Sequence, residues 1–141
     1  MIILDTNVIS AIMRLELEPD VAAWLDLQNP QHLFATSISL FEINFGIERM
    51  ARGKKRTLHE TRLATVMSDV IGSRLINFDR ETSSAAAKAH VVRGKVNADH
   101  EAPDSLIAGT AIYHAASLAT RNVKGFAGLG VKIVNPWNDG D

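Results

Sequence analysis

The chain has 141 residues, 46% of them hydrophobic, and a formal net charge of -1. This length suits one domain over residues 1–141 with its own core, and the near-neutral charge means that any nucleic-acid-binding patch has to be local. The lack of cysteine excludes disulfides, thiolate metal ligands and cysteine nucleophiles. No segment approaches the roughly 20 apolar residues of a membrane span, so we expect a cytoplasmic protein without membrane contact.

The first seven residues form a short apolar run that ends in polar side chains. Three successive branched apolar residues, 2–4, predict a strand that is buried on both faces of a parallel sheet. Such a strand delivers Asp5 at its carboxyl end, which is where ligands bind in open α/β sheets. Asp5 can equally cap the helix that follows, and this stretch alone does not separate the two roles.

Further helix and strand patterns alternate along the chain. Strands are predicted at 32–36, 75–78, 117–120 and 131–134, and helices at 8–13, 19–28, 37–50, 57–71, 79–92 and 104–116. Phe41 and Phe45 adjoin the apolar face of the third helix, which we therefore expect to be broadly buried, and Gly94 is expected to stop the fifth. The alternation predicts an α/β fold, a five-stranded parallel sheet with right-handed crossovers and helices on both faces.

Acidic residues stand on three of these elements rather than on charged surfaces. Glu42 is the only charge in an otherwise apolar and small helix start, where a buried carboxylate costs several kcal/mol unless it is paired or binds a cation. Glu42 and Asp104 also suit the first turn of a helix, where the macrodipole favours acids. Asn122, after the fourth strand, can bind a cation's water or shape a turn.

These residues meet Asp5 at one edge of the sheet if the first and fourth strands are neighbours, which we predict. Three carboxylates at one point do not all stay ionised without a cation, because like charges raise one another's pKa. An all-oxygen ligand set selects Mg²⁺ or Mn²⁺, and these ions usually partner phosphate. The pattern favours phosphoryl chemistry with an activated water as nucleophile.

At these residues the chain resembles the PIN-domain ribonucleases, in particular the toxin subunits of VapBC and FitAB type toxin–antitoxin pairs. Four segments in the right order and spacing carry the resemblance: residues 3–8, 37–43, 103–108, and 120–122 followed by 135–137. It implies Mg²⁺ or Mn²⁺ as cofactor and assigns these site residues: Asp5, Glu42 and Asp104 as catalytic metal ligands, Asn122 at the fourth catalytic position, and Thr6 and Thr120 as supporting hydroxyls.

The resemblance also implies a homodimeric endoribonuclease toxin that hydrolyses RNA. A small VapB/FitA-like antitoxin would insert into its active-site groove, and the pair would bind DNA only through that antitoxin. There is one departure, since Gly125 stands where relatives often have an acid before Phe. With Asn122 uncharged as well, a fourth anionic ligand is lacking, which argues against tight binding of a second metal.

Basic residues are candidates for RNA-phosphate contact at two places. Arg121 and Lys124 follow the fourth strand, close to the predicted site. Lys54, Lys55 and Arg56 belong to the most basic part of the sequence. Cations at the end of a helix are also favoured by the dipole and by solvation, so contact with RNA is one of two interpretations of this run.

Two other functions fit parts of the pattern. A haloacid-dehalogenase-like phosphohydrolase also has Asp after the first strand, but needs a second Asp two residues later, where this chain has Asn7. A catalytically weakened module that only binds the antitoxin is favoured by the missing acids at Asn122 and Gly125. The three intact carboxylates argue against that module, and Mn²⁺ binding without RNA cleavage would indicate it.

Overall fold

The computed structural model describes residues 1–96 and 101–137. Its strands are β1 (Ile2–Leu4), β2 (Leu33–Thr36), β3 (Leu75–Ile76), β4 (Ser117–Ala119) and β5 (Ile133–Val134). Its α-helices are α1 (Thr6–Ile12), α2 (Pro19–Asp26), α3 (Ser37–Glu48), α4 (Lys54–Thr65), α5 (Arg80–Val96) and α6 (Ala102–Tyr113). A π-helical turn, Val66–Ile71, extends α4, and 3₁₀ turns lie at Pro30–His32 and Lys124–Phe126. The predicted alternation of strands and helices is confirmed.

The strands form one parallel sheet in the order β3-β2-β1-β4-β5. β1 lies at its centre, where Ile3 pairs with Phe34 of β2 on one side and with Leu118 of β4 on the other. Ile3 and Leu4 have no exposed surface, as expected for a central parallel strand. The predicted adjacency of the first and fourth strands is confirmed. Side chains that follow β1 and β4 therefore leave the sheet at the same edge.

Two apolar clusters cover the two faces of the sheet. One contains Leu4 and Leu33 with residues of α1, α3 and α4. The other contains Ile3, Leu118 and Phe126 with residues of α5 and α6. Because successive residues of a strand point to opposite faces, these clusters lie on opposite sides of the sheet, and helices cover both faces as predicted.

Helices α5 and α6 pack backbone to backbone. A methyl group on Gly109 of α6 would stand 2.3 Å from the backbone N and Cα of Ala86 in α5. Ala108 and Ala111 beside it are fully buried. The small residues of α6 therefore fix its first turn, which contains Asp104, relative to α5.

Several local predictions were wrong. The fourth helix begins at Lys54 rather than at residue 57, directly after Gly53, whose φ of 153° suits glycine. Helix α5 runs through Gly94 to Val96, since one glycine costs a helix only about 1 kcal/mol. We also expect a loop over residues 95–101, of which residues 97–100 lie outside the described part of the chain.

The prediction that α3 is broadly buried was also wrong. Phe41 and Phe45 are 65% and 44% exposed, and their rings lie 6.2 Å apart on the outer side of the helix. Only the other apolar side of α3, with Ile43 and Ile47, is buried in the core. Within residues 1–96 and 101–137, no helix combines the length and apolar character needed to cross a membrane.

Candidate active site

Asp5 follows β1 and is 3% exposed. Its Oδ2 accepts a hydrogen bond from Thr120 Oγ1 at 2.7 Å, so residues after β1 and β4 meet as predicted. Its Oδ1 accepts from the backbone N–H of Thr6 at 2.8 Å, which makes Asp5 the cap of α1. Asn7 Nδ2 lies 3.3 Å from both Asp5 Oδ2 and Thr120 Oγ1. Asp5 therefore does cap α1 through its Oδ1, and its Oδ2 remains directed to the sheet edge.

Glu42 lies on α3 and is tied to α1 through a hydroxyl. Thr6 Oγ1 donates to Glu42 Oε1 at 2.7 Å. Ser39 Oγ lies 2.9 Å from the same Thr6 oxygen, and because Thr6 has one hydroxyl proton, Ser39 is the donor in that pair. Since α3 begins at Ser37, Glu42 is its sixth residue, beyond the turn in which the helix dipole acts. The dipole therefore does not explain this acid.

Asp104 lies in the first turn of α6, as predicted. Its Oδ2 is 3.3 Å from Nη2 of Arg93, a side chain that is 5% exposed and reaches across from α5. Burial raises the pKa of Asp104, the Arg93 guanidinium lowers it and the charge of Glu101 raises it again. Asp104 is thus a half-buried carboxylate with a fixed cation on one side.

The carboxylates are close enough to affect one another's ionisation. Burial raises the pKa of Asp5 to about 6, hydrogen bonds from Thr120 and Thr6 lower it, and the charges of Asp104 and Glu42 raise it. Burial likewise raises the pKa of Glu42, the Thr6 hydroxyl lowers it, and Asp104 adds to the rise. A bound cation would stabilise the ionised form of these carboxylates.

Asn122 is exposed, and the hydrogen bonds described for it belong to its own turn. Its Oδ1 accepts from the backbone N–H of Gly125 at 3.2 Å, and its own N–H donates to Thr120 Oγ1 at 3.0 Å. A methyl group on Gly125 would stand 2.3 Å from Asn122 Nδ2, so the lack of a side chain at 125 permits this conformation. Asn122 shapes a turn, and its part in catalysis stays a prediction.

The basic candidates differ in how they are held. The Arg121 guanidinium stacks on the Trp137 ring at 4.9 Å, near the site, and Lys124 is exposed in the following turn. Lys54 and Lys55 are exposed at the start of α4, where the dipole disfavours cations, so the dipole does not account for them.

Arg56, in contrast, is largely engaged within the protein. Its guanidinium pairs with Glu48 at 3.0 Å and with Glu60 at 3.1 Å, and it donates to the carbonyl of Met50 at 3.3 Å. The side chain is 17% exposed. Arg56 is therefore a weaker candidate for phosphate contact than the two lysines before it.

Four polar side chains that the sequence analysis did not select take part in this arrangement: Asn7, Ser39, Arg93 and Ser105. Asn7 and Ser39 stand beside selected residues and could have been found as neighbours in the same polar segments. Arg93 lies 11 residues before Asp104, in a helix that was expected to end at residue 92. No local signal in the sequence connects it with the acids.

A groove of about 400 Å³ begins at Thr6 and Glu42 and runs between α1, α3 and α4. Beyond the acid its lining is mainly apolar with a few basic groups: Met13, Arg14, Ile43, Ile47, Met50, His59 and Arg62. The candidate site is therefore open on one side to a surface that suits a partly apolar, partly acidic ligand.

Whether the site suits a divalent cation depends on its donor groups. In the part of the chain that the structure describes, no three acidic or histidine side chains stand together as a ready metal-binding cluster. Each carboxylate instead accepts from a group of the protein, Asp5 from Thr120, Glu42 from Thr6 and Asp104 from Arg93. Carboxylate oxygens with raised pKa values, supported by hydroxyls, fit Mg²⁺ or Mn²⁺ by their chemistry.

Comparisons with known proteins agree on one family. Residues 2–130 match the family model of the PIN domain. The chain is 36% identical to VapC ribonuclease Y4jK of Sinorhizobium fredii, over 97% of this chain and 98% of that protein. It is 31% identical to Toxin FitB of Neisseria gonorrhoeae, over 99% of this chain and 100% of FitB.

A chain in the structure of FitAB bound to IR36 DNA fragment has the same fold, with a TM-score of 0.86 and 29% identity, and covers 100% of this chain and 99% of its own length. The matched family is not that of the haloacid-dehalogenase-like alternative. Together with the sheet order and the position of the acids, these matches show that the chain belongs to the PIN domain family.

Proposed function

We propose that this protein is a Mg²⁺- or Mn²⁺-dependent endoribonuclease, the toxin of a type II toxin–antitoxin pair. The observation that carries the proposal is electrostatic: in addition to burial, the charge of Asp104 raises the pKa values of both Asp5 and Glu42, so these acids on three elements act on one another. It is supported by relatives named as a VapC ribonuclease and as a toxin.

The residues of the site would act in distinct ways. A divalent cation held by Asp5, Glu42 and Asp104 would supply Lewis-acid stabilisation of charge at the scissile phosphate. Thr120 and Asn7 orient Asp5 through its Oδ2, and Thr6 orients Glu42, so the carboxylates keep their positions. Water enters through the open groove. Arg121 and Lys124, in the turn after β4, would hold the RNA backbone beside the acids.

The groove beside Glu42 is our candidate seat for a VapB/FitA-like antitoxin. Its apolar lining and its two arginines, Arg14 and Arg62, suit a partly acidic, partly apolar peptide segment. FitAB, to which the chain is similar, is a complex bound to DNA. With a net charge of -1, we expect this chain to contact DNA only through the antitoxin, in the cytoplasm where its RNA substrate lies.

We further propose a homodimer. Large apolar side chains are exposed on α3 and α6, namely Phe41, Phe45, Ile112 and Tyr113. The adjacent rings of Phe41 and Phe45 form an exposed apolar patch, and such patches favour association. A sedimentation measurement on the antitoxin-free protein tests this part of the proposal.

The activity is tested with purified, antitoxin-free protein and a mixed RNA pool that includes transfer and ribosomal RNA. We expect discrete fragments with Mg²⁺ or Mn²⁺ and none with EDTA. An Asp20→Asn variant, changed at an exposed acid of α2, is the matched control for Asp5→Asn and is expected to cleave normally. A folded protein that binds Mn²⁺ but cleaves no RNA would instead indicate the weakened antitoxin-binding module.

Replacing Lys54 and Lys55 together by alanine is expected to flatten the salt dependence of RNA binding. The slope of log Kd against log salt should fall by roughly 1.4, the value for two contacts to single-stranded RNA. Arg56→Ala should leave the slope unchanged, because its guanidinium is held by Glu48 and Glu60. Fluorescence anisotropy with labelled RNA at several salt concentrations measures all three proteins, and an unchanged slope in the double variant would contradict the contact.

A further inference from the structure

Arg93 lies beside Asp104, and its guanidinium nitrogens donate hydrogen bonds to several segments of the chain. Nε donates to the Gly125 carbonyl at 2.9 Å, and Nη1 to the Glu101 carbonyl at 2.8 Å. Nη1 also donates to Ser105 Oγ at 2.8 Å, and Nη2 to Asp104 Oδ2 at 3.3 Å. A planar guanidinium makes such contacts in several directions at once, whereas a lysine ammonium is a compact point charge. Arg93 thus joins α5, the first turn of α6 and the turn after β4.

The surroundings hold this guanidinium in place. The Phe126 ring lies 5.6 Å from it. His90, one turn earlier on α5, contacts Ser105 Oγ through Nδ1 at 2.8 Å. Gly109 of α6 lies against the backbone of Ala86 in α5, so the two helices pack closely beside the arginine. Arg93 is therefore a cation of fixed position.

The positive charge of Arg93 affects how many metal ions the acidic site can hold. When ionised, Asp5, Glu42 and Asp104 carry three negative charges, and Arg93 compensates one of them. The two that remain are what one divalent cation neutralises, and Asn122 adds none. Glu101 also faces the acids but is exposed, so solvent and salt screen its charge. Arg93 also engages Oδ2 of Asp104, which leaves Oδ1 as the other oxygen of that carboxylate.

We propose that Arg93 is a positioning residue and the built-in counter-charge of the metal site, which holds Asp104 and limits the site to one divalent cation per chain. This inference rests on the proposed metal-dependent function and deepens it. Because the fourth acid, Glu101, is exposed and its charge is screened, a fixed guanidinium supplies the positive charge that a second metal ion would otherwise bring.

The test counts Mn²⁺ bound by RNA-free protein, using electron paramagnetic resonance of the free ion. We expect one ion per chain in the wild type and in Arg93→Lys, which keeps the charge. Arg93→Met, like Arg93→Lys, loses the carbonyl bonds, but it also loses the charge. It should bind Mn²⁺ more tightly than Arg93→Lys by about tenfold, the size of an interaction between a unit and a divalent charge a side-chain length apart in a water-like dielectric.

Arg74→Met is the matched control. Arg74 donates to the carbonyls of Leu33 and Val70 on another part of the sheet, so its loss also removes a carbonyl-bound arginine. We expect this control to lower the melting temperature and to leave the Mn²⁺ affinity at the wild-type value. A similar change in Mn²⁺ affinity in Arg74→Met and Arg93→Met would overturn the proposal.

Two further results would also overturn it: two Mn²⁺ ions of similar affinity in the wild type, or equal affinities in Arg93→Lys and Arg93→Met. The wild-type count needs no variant, so two ions there would overturn the proposal even if Arg93→Met fails to fold. If the wild type binds two ions and cleaves RNA, the role proposed for Arg93 is refuted but the proposed function is not. A wild type that neither binds Mn²⁺ nor cleaves RNA would refute the proposed function itself.

Discussion

Asp5→Asn is expected to abolish metal-dependent RNA cleavage, with a loss of about 1,000-fold or more in rate. An amide has the same shape as the carboxylate; its one oxygen can still accept from the Thr6 N–H, and its NH2 group can donate to the Thr120 hydroxyl, so the fold should be kept. What is lost is the charge at the centre of the acidic site. The measurement is the rate of cleavage of one RNA fragment identified in the mixed pool, in Mn²⁺ and at fixed protein concentration. Activity near the wild-type rate would remove Asp5 from the site.

The same variant should be more stable than the wild type when metal is absent. Burial raises the pKa of Asp5 from its ordinary value of 3.8 to about 6 in the folded protein. The folded state therefore binds more protons than the unfolded state between these values, and its stability falls as the pH rises from about 4 to about 6. Asparagine avoids this penalty, which is worth up to about 3 kcal/mol above pH 6.

Urea unfolding in EDTA checks this effect, with an expected gain of about 1–3 kcal/mol near pH 7.5 that shrinks toward pH 4. Asp79→Asn is a control for which the expected change in stability near pH 7.5 has the opposite sign. Asp79 binds the Thr82 N–H at the start of α5, and this hydrogen bond lowers its pKa, so its contribution is present at neutral pH and lost in acid. A destabilised Asp5→Asn protein near pH 7.5 would show that the carboxylate serves the fold.

Gly109→Ala is expected to destabilise the protein by about 3 kcal/mol or more, the upper part of the range for overpacked sites. The added methyl group would meet the backbone of Ala86 at 2.3 Å, and a backbone cannot turn away as a side chain does. Relief requires α6 to move away from α5, which would also pull Asp104 from Arg93. Chemical unfolding gives the free energy, and Mn²⁺ binding reports on the site.

Gly46→Ala provides the matched control for this substitution. Gly46 also lies inside a helix, α3, but nothing stands within 4 Å of a methyl group placed there. The helix propensity of alanine should make this variant neutral or more stable by up to about 1 kcal/mol. Equal losses in both variants would mean that the tight approach of α5 and α6 is not what makes Gly109 necessary.

The position of the acids was predictable because each depends on local signals. Three branched residues before Asp5 identify a buried strand, and strand order follows from short, right-handed connections between strands and helices. Glu42 was identified by being a lone charge among apolar residues. The contact of Thr120 with Asp5 then followed from the topology, since neighbouring parallel strands end at the same edge.

Other features depend on contacts that have no local signal. Arg93 acquires its partners only because α5 continues past residue 92 and because a turn 32 residues later presents the Gly125 carbonyl. Phe41 and Phe45 were misplaced because α3 is apolar nearly all round, so periodicity does not tell which side meets the core. The sequence left two roles open for Asn122, binding a cation's water or shaping a turn. The turn depends on its hydrogen bond with Gly125, which the sequence does not reveal.

The central place of β1 has a consequence for how the protein is made. The Thr120 to Asp5 hydrogen bond joins residues 115 positions apart, and β1 pairs with β4 along Ser117–Ala119. Contacts so distant in sequence close slowly, so β1 is among the last strands to find both of its neighbours. A nascent chain shorter than residue 117 has one edge of β1 unpaired and no complete acidic site. Residues 117–120 must therefore be synthesised before the proposed active site can form.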